Sequence, residues 1–307
     1  MRGLRVALAV IWVLGGAAAT GYALQKEIPI AIALPVAVAF LVEISFYAGL
    51  NKIRWPSPVS LWASALLPFL IYSVPTGVFG WRQAGLLAAI TAASVFWLTF
   101  RKGLGWDLGY LLFMAALYLG GVPRMPYAQP WPGLRVDALG QLMWFRLGMA
   151  AMLHNRPSGH VGFGFFPTAG EWRIGLRYFL LSLPVGAVLM WALGYHVRLA
   201  DGFWWKTPAT FLGILWVVAM AEEFFFRGLL LHRLRDSMNP IPAILASSLL
   251  FGAFHISFPG AFPNWKMVSL ATVLGVFCGR AYLEAGGIRA AMVTHASVVT
   301  VFRTLLA

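Results

Sequence analysis

The scarcest features of this 307-residue chain are its single cysteine and its ten carboxylate side chains. One thiol, Cys278, excludes an internal disulfide and any cluster of thiolates around a metal. Its neighbours, Phe277 and Gly279, lie in an apolar run, and it reads as a small buried packing residue. Charge is scarce too, at 11% of residues, against about 25% in ordinary globular domains. With 60% hydrophobic residues and a mean hydropathy of +0.78, there is too little polar surface for a soluble fold. The chain reads as an all-α, polytopic transmembrane helical bundle, embedded in a bilayer.

Several motifs are also missing. There is no H-E-x-x-H for a zinc peptidase, no G-x-S-x-G for a serine hydrolase and no pair of separated intramembrane aspartates. The net charge of +13 would suggest a nucleic-acid partner in a soluble protein. Here Lys and Arg punctuate apolar stretches, so they read as loop anchors facing anionic lipid, and no nucleic acid is expected. Basic clusters at Arg2/Arg5, Lys52/Arg54, Arg101/Lys102 and Arg233/Arg235 all favour the cytoplasmic side, without fixing one consistent topology.

A span needs about 20 apolar residues. Segments 4–24, 28–50, 58–79, 83–100, 104–122, 174–196, 207–231, 241–258, 267–284 and 287–306 qualify, about ten in all. The basic, apolar start resembles a signal peptide but reads as an uncleaved first helix, because more spans follow at once. Residues 1–122 are expected to form accessory transmembrane helices. Residues 123–173 read as a linker: Pro123, Pro126, Pro130 and Pro132 open it, and an amphipathic helix follows over 134–153. The loop at 155–170 then leads to a functional core over 174–307. Glu43 and Asp107, lone acids within spans, read as paired or snorkelling.

The residues that demand a function lie at 214–235, ILWVVAMAEEFFFRGLLLHRLR. A charge at mid-bilayer costs roughly 2.5–3.5 kcal/mol on insertion scales. Glu223 and Arg227 are four residues apart and share a helix face, with the acid on the favourable N-terminal side. Glu222 lies about 100° round the helix, outside that pair and available as a general base. Two histidines follow on separate apolar segments, His255 and His295. Between them Ala271, Gly275 and Gly279 make a small-residue stripe that lets helices approach closely. His154, His160, His196 and His232 read as interfacial, and Trp55, Trp81, Trp204 and Trp205 as interface anchors.

The order Glu222-Glu223-x-x-x-Arg227, then Phe251-x-x-x-His255, then the glycine stripe and His295, resembles the CAAX-protease and bacteriocin-processing family. These are glutamic intramembrane endopeptidases that include the Ras-converting enzyme. The resemblance covers roughly residues 170–305. It implies that Glu222 activates a water that His255 helps to hold, that Glu223 and Arg227 orient the site, and that His295 stabilises the oxyanion. It also implies a hydrolase of the plasma (inner) membrane without cofactor, acting on a membrane-associated protein or peptide. The family usually has Asn four residues after the last His, where this chain has Val299; Ser297 and Thr300 are the nearest polar neighbours. Two Glu and two His are respectable metal ligands, but Arg227 beside Glu223 repels a cation, and none is expected. The alternative is a non-enzymatic membrane protein, a transporter, immunity factor or scaffold, that keeps the Glu/His cluster as a proton or ligand site.

Overall fold

The computed structural model describes residues 2–50, 52–156, 162–196, 203–258 and 260–305. Its ordered elements are helices, with no strand among the described residues. They fall into two compact units, Met1–Pro157 and Ser158–Ala307. Among the described residues six helices are long and apolar enough to cross a membrane: Leu4–Gln25, Ile30–Ala48, Trp81–Phe100, Ala169–Ala192, Lys206–Arg235 and Trp265–Ala285. The chain is thus an integral membrane protein. Of the expected spans, three fold as shorter apolar helices, Pro58–Ser73, Leu104–Leu119 and Pro240–Phe254. Local punctuation cuts them short. The first stops ahead of Pro75 and the left-handed Gly77, and the second ends in Gly120-Gly121, with Gly121 at φ +70. The third begins at Pro240, whose missing N–H suits a first helical position, and stops at Phe254, where His255 leaves the helix at φ −91 and ψ 6.

The first unit consists of α1 (Arg2–Gln25), α2 (Ile30–Ala48), α3 (Pro58–Ser73), α4 (Trp81–Phe100), α5 (Leu104–Leu119) and α6 (Asp137–Asn155). The expected amphipathic helix is α6, and it is buried along most of its length, packing on α2, α3 and α4. His154, expected to be interfacial, lies in its last turn, whereas His160 falls outside the described residues. Arg146 of α6 is fully enclosed. Its Nε and Nη2 donate to the Glu43 carboxylate at 2.6 and 3.1 Å, while Nη1 donates to Ser64 Oγ at 3.0 Å and Nη2 also to the Ser64 carbonyl at 3.2 Å. A second buried pair joins Arg156 to Asp107 at 3.0 Å. Both lone acids of the sequence are therefore ion-paired, each to an arginine from the expected linker.

The second unit consists of α7 (Ala169–Ala192), α8 (203–235), α9 (Pro240–Phe254), α10 (Trp265–Ala285) and α11 (Ile288–Leu305). A reciprocal cap opens α7: Thr168 Oγ1 accepts from the Glu171 N–H, and the Glu171 side chain accepts from the Thr168 N–H. The same carboxylate holds Arg289 at 2.7 Å, tying the start of α7 to α11. Helix α8 runs without interruption from Phe203–Gly213 through Ile214–Ala219, Met220–Glu223 and Phe224–Leu231 to His232–Arg235. Two of these stretches, Ile214–Ala219 and Phe224–Leu231, are wide π-helical turns, and they flank the two glutamates. Such turns are frequent at functional sites. The side chains of Trp204 and Trp205 lie outside the described residues.

The glycine stripe does what its spacing predicts. A Cβ on Gly275 would meet Ser248 Cβ at 2.9 Å and its Cα at 3.0 Å, and one on Gly279 would meet Ile244 Cγ2 at 3.1 Å. Helices α9 and α10 are therefore in backbone-level contact. On the other side Gly175 of α7 sits against Val293 and the Ala290 carbonyl, and Thr294 Oγ1 donates to the Gly175 carbonyl at 2.9 Å.

Two outcomes follow for stability, each read by thermal unfolding in detergent. Arg146→Met leaves Glu43 buried without its ion partner, and is expected to cost about 3–5 kcal/mol, whereas Glu43→Leu combined with Arg146→Met is expected to recover most of that loss. A single variant as stable as the wild type removes the brace from this account. Gly275→Leu forces α9 from α10 and is expected to cost about 1–3 kcal/mol by overpacking; an unchanged melting temperature shows that the helices can separate freely there.

Candidate active site

The site is assembled from α8, α9, α10 and α11. Glu223 and Arg227 are both fully buried. Arg227 Nη1 donates to Glu223 Oε1 at 3.2 Å, and its Nε lies 3.1 Å from Oε2. A second donor, His295 Nδ1 of α11, reaches the same Oε1 at 2.7 Å. Arg227 Nη2 donates to the Gly275 carbonyl of α10 at 3.1 Å. This is a second use of the glycine stripe: close approach brings a backbone acceptor within reach of the guanidinium. Phe251 of α9 covers the group, its ring 4.5 Å from the Arg227 guanidinium carbon and in edge contact with His295 at 5.7 Å between ring centroids.

His255 is the residue that ends α9, at φ −91 and ψ 6. Its Nδ1 lies 2.9 Å from the carbonyl of Phe251, four residues back. A carbonyl can only accept, so Nδ1–H donates, and in the neutral ring Nε2 keeps its lone pair. This explains the Phe251-x-x-x-His255 spacing: one helical turn supplies the acceptor that fixes the tautomer. The Glu223 carboxylate likewise only accepts, so His295 Nδ1–H donates to it and directs Nε2 the other way.

Glu222 stands where the two Nε2 atoms converge. Its Oε2 lies 3.7 Å from His295 Nε2 and 4.0 Å from His255 Nε2. Both distances exceed a direct hydrogen bond and suit a single bridging molecule. That Oε2 is buried with no hydrogen-bond partner. Exposure sorts the five side chains in the same way. Glu222 and His255 retain 12% and 14%, while His295 has 2% and Glu223 and Arg227 have none, so the cluster opens on the Glu222/His255 side.

All five residues singled out in the sequence thus meet in one place. Three further groups do so without having been assigned a role there: the Phe251 ring, the Gly275 carbonyl, and Cys278, whose sulfur lies close to Glu223 and His295. Gly275 and Cys278 are three residues apart on one face of α10, a relation visible in sequence only once that face is known. The position of the family's usual Asn stays apolar. Val299 follows His295 by one turn, while Ser297 and Thr300 are buried and lie about 200° and 140° round α11.

No curated protein and no solved structure matches the chain. Residues 204–301, about a third of the chain, match the family model described as type II CAAX prenyl endopeptidase Rce1-like, and that segment, similar to those endopeptidases, contains Glu222, Glu223, Arg227, His255 and His295.

Proposed function

We propose that this chain is a glutamic-type intramembrane endopeptidase that cuts a membrane-anchored, lipidated or leader-bearing protein near its apolar anchor. The convergence of an unpaired Glu222 oxygen with two histidine Nε2 atoms carries this reading. A water held among them meets three acceptors with only two protons of its own. The count closes when His295 carries a second ring proton, on Nε2. The charge then closes too: Glu222 and Glu223 contribute two negative charges, Arg227 and His295 two positive ones, in a place where net charge is costly.

From that state the steps follow. The water donates to Glu222 and His255, and Glu222 takes its proton as oxygen attacks the substrate's carbonyl carbon. The negative charge on the carbonyl oxygen is met by His295 Nε2–H, which Glu223 holds in place through Nδ1. Glu222 then returns the proton to the departing amine as the C–N bond breaks. Arg227 keeps Glu223 paired and oriented without touching substrate. On this reading the chain keeps about ten membrane segments, with the shorter helices also within the bilayer, and resides in the plasma membrane.

The test is cleavage in liposomes, with farnesylated CAAX peptides and apolar leader peptides as probes. Glu222→Gln preserves shape and is expected to lower kcat by about 10²–10⁴-fold, the usual worth of a general base, with little change in KM. Wild-type cleavage that survives Glu222→Gln rejects the mechanism. Proton flux lost in the same variant, with no peptide cut by the wild type, supports a proton-relay protein instead.

A further inference from the structure

Cys278 is fully buried and has no part in the steps above. Its sulfur makes one weak contact with a backbone acceptor, the Ala291 carbonyl at 3.7 Å. It also lies with a carboxylate oxygen of Glu223 and a ring nitrogen of His295, all three ligand atoms within 4.8 Å of one another. Glu223 Oε2 is fully enclosed, with Arg227 Nε 3.1 Å away as its ion partner, which leaves the other oxygen, Oε1, facing His295. A thiol, an imidazole and a carboxylate at this spacing form a recognisable ligand set.

We propose that Glu223, Cys278 and His295 form a binding site for a zinc-class divalent cation, and that an ion bound there switches the catalytic cluster off. Thiolate, imidazole and carboxylate all bind zinc, at about 2.0–2.3 Å, so the three donors need to close in only slightly around an ion. Arg227 is the obvious objection, since it sits against Glu223. Its charge is matched by the second carboxylate, Glu222. Binding exchanges one doubly charged ion for two protons, one from the Cys278 thiol and one from the His295 ring, which leave to solvent. The enclosed cluster then has the same net charge with the metal as with the protons. Electrostatics do not oppose the exchange, and the soft sulfur favours zinc over calcium or magnesium.

Inhibition and the charge balance rest on the endopeptidase reading; the ligand set itself does not. The ion takes the Glu223 oxygen and the ring nitrogen that faces it, Nδ1, so His295 loses the carboxylate brace that aims its Nε2–H at the substrate oxygen. Cys278 has no place in the reaction, and Cys278→Ala is therefore expected to leave cleavage intact while abolishing the response to metal.

The experiment uses the purified full chain in detergent. Because Cys278 is the only cysteine, any thiolate-to-cadmium ultraviolet charge-transfer band must come from it. Titration with cadmium is expected to give that band at one ion per chain, and to give it much more weakly in Glu223→Gln and His295→Gln. Zinc is expected to raise the melting temperature of the wild type but not of Cys278→Ala. Loss of a ligand should weaken zinc inhibition of cleavage by at least roughly 10–100-fold. Three results overturn the proposal: no band in the wild type, a band of equal strength and affinity in Glu223→Gln and His295→Gln, or equal melting shifts in wild type and Cys278→Ala. A band and melting shift as expected in a protein that cleaves no peptide upholds the cation site and rejects the endopeptidase reading instead.

Discussion

The Glu223 carboxylate is the constraint on which the second unit depends. It is wholly enclosed, and a buried carboxylate is tolerable only when paired and hydrogen-bonded. Its partners come from two places: Arg227 one turn along α8, and His295 from α11. Arg227 in turn must satisfy its remaining donors, and finds the Gly275 carbonyl of α10 and the Phe251 ring of α9. One acid thus sets where four helices meet. The glycines at 275 and 279 are part of the same requirement, because without backbone-level contact between α9 and α10 the groups that complete Arg227 could not both reach it.

The first unit shows what the same chemistry looks like when nothing is left over. Arg146 gives both prongs of its guanidinium to Glu43 and its remaining reach to Ser64, leaving a closed, inaccessible pair. Glu222 differs in each respect. It keeps some exposure, it faces two histidines beyond direct bonding distance, and one of its oxygens is unsatisfied. Both arrangements place acids inside apolar helices at a similar cost. Complete satisfaction marks a brace, and incomplete satisfaction marks a place where another molecule belongs.

That difference also separates what could be read in the sequence from what could not. Glu223 with Arg227, and His255 with the Phe251 carbonyl, are four-residue relations, fixed by helical geometry alone. The small-residue stripe was legible for the same reason. The partner of Glu43 was not, since Arg146 lies 103 residues away in what read as linker, and nothing local couples the two. The wide turns on either side of the glutamates belong to this second class, because they depend on how α8 fits among its neighbours rather than on any residue in it. Helix lengths failed more simply: hydropathy continues through Pro75 and Gly120, and the backbone does not.

On the proposed endopeptidase reading, Val299 bears on rate rather than on the kind of chemistry. A neutral amide at that position would add one hydrogen bond to the developing oxyanion, and the nearest hydroxyls, on Ser297 and Thr300, lie on other faces of α11. In the proposed mechanism the donor that remains is a charged imidazole, and hydrogen bonds from an ionised donor are roughly twice as strong as neutral ones. Its position is held by Glu223, which Arg227 also holds, so little reorganisation is needed as charge develops. Losing the amide therefore removes the lesser of two contributions. What the proposed mechanism cannot lose is the orientation of His295, and that returns the demand to the enclosed Glu223 carboxylate.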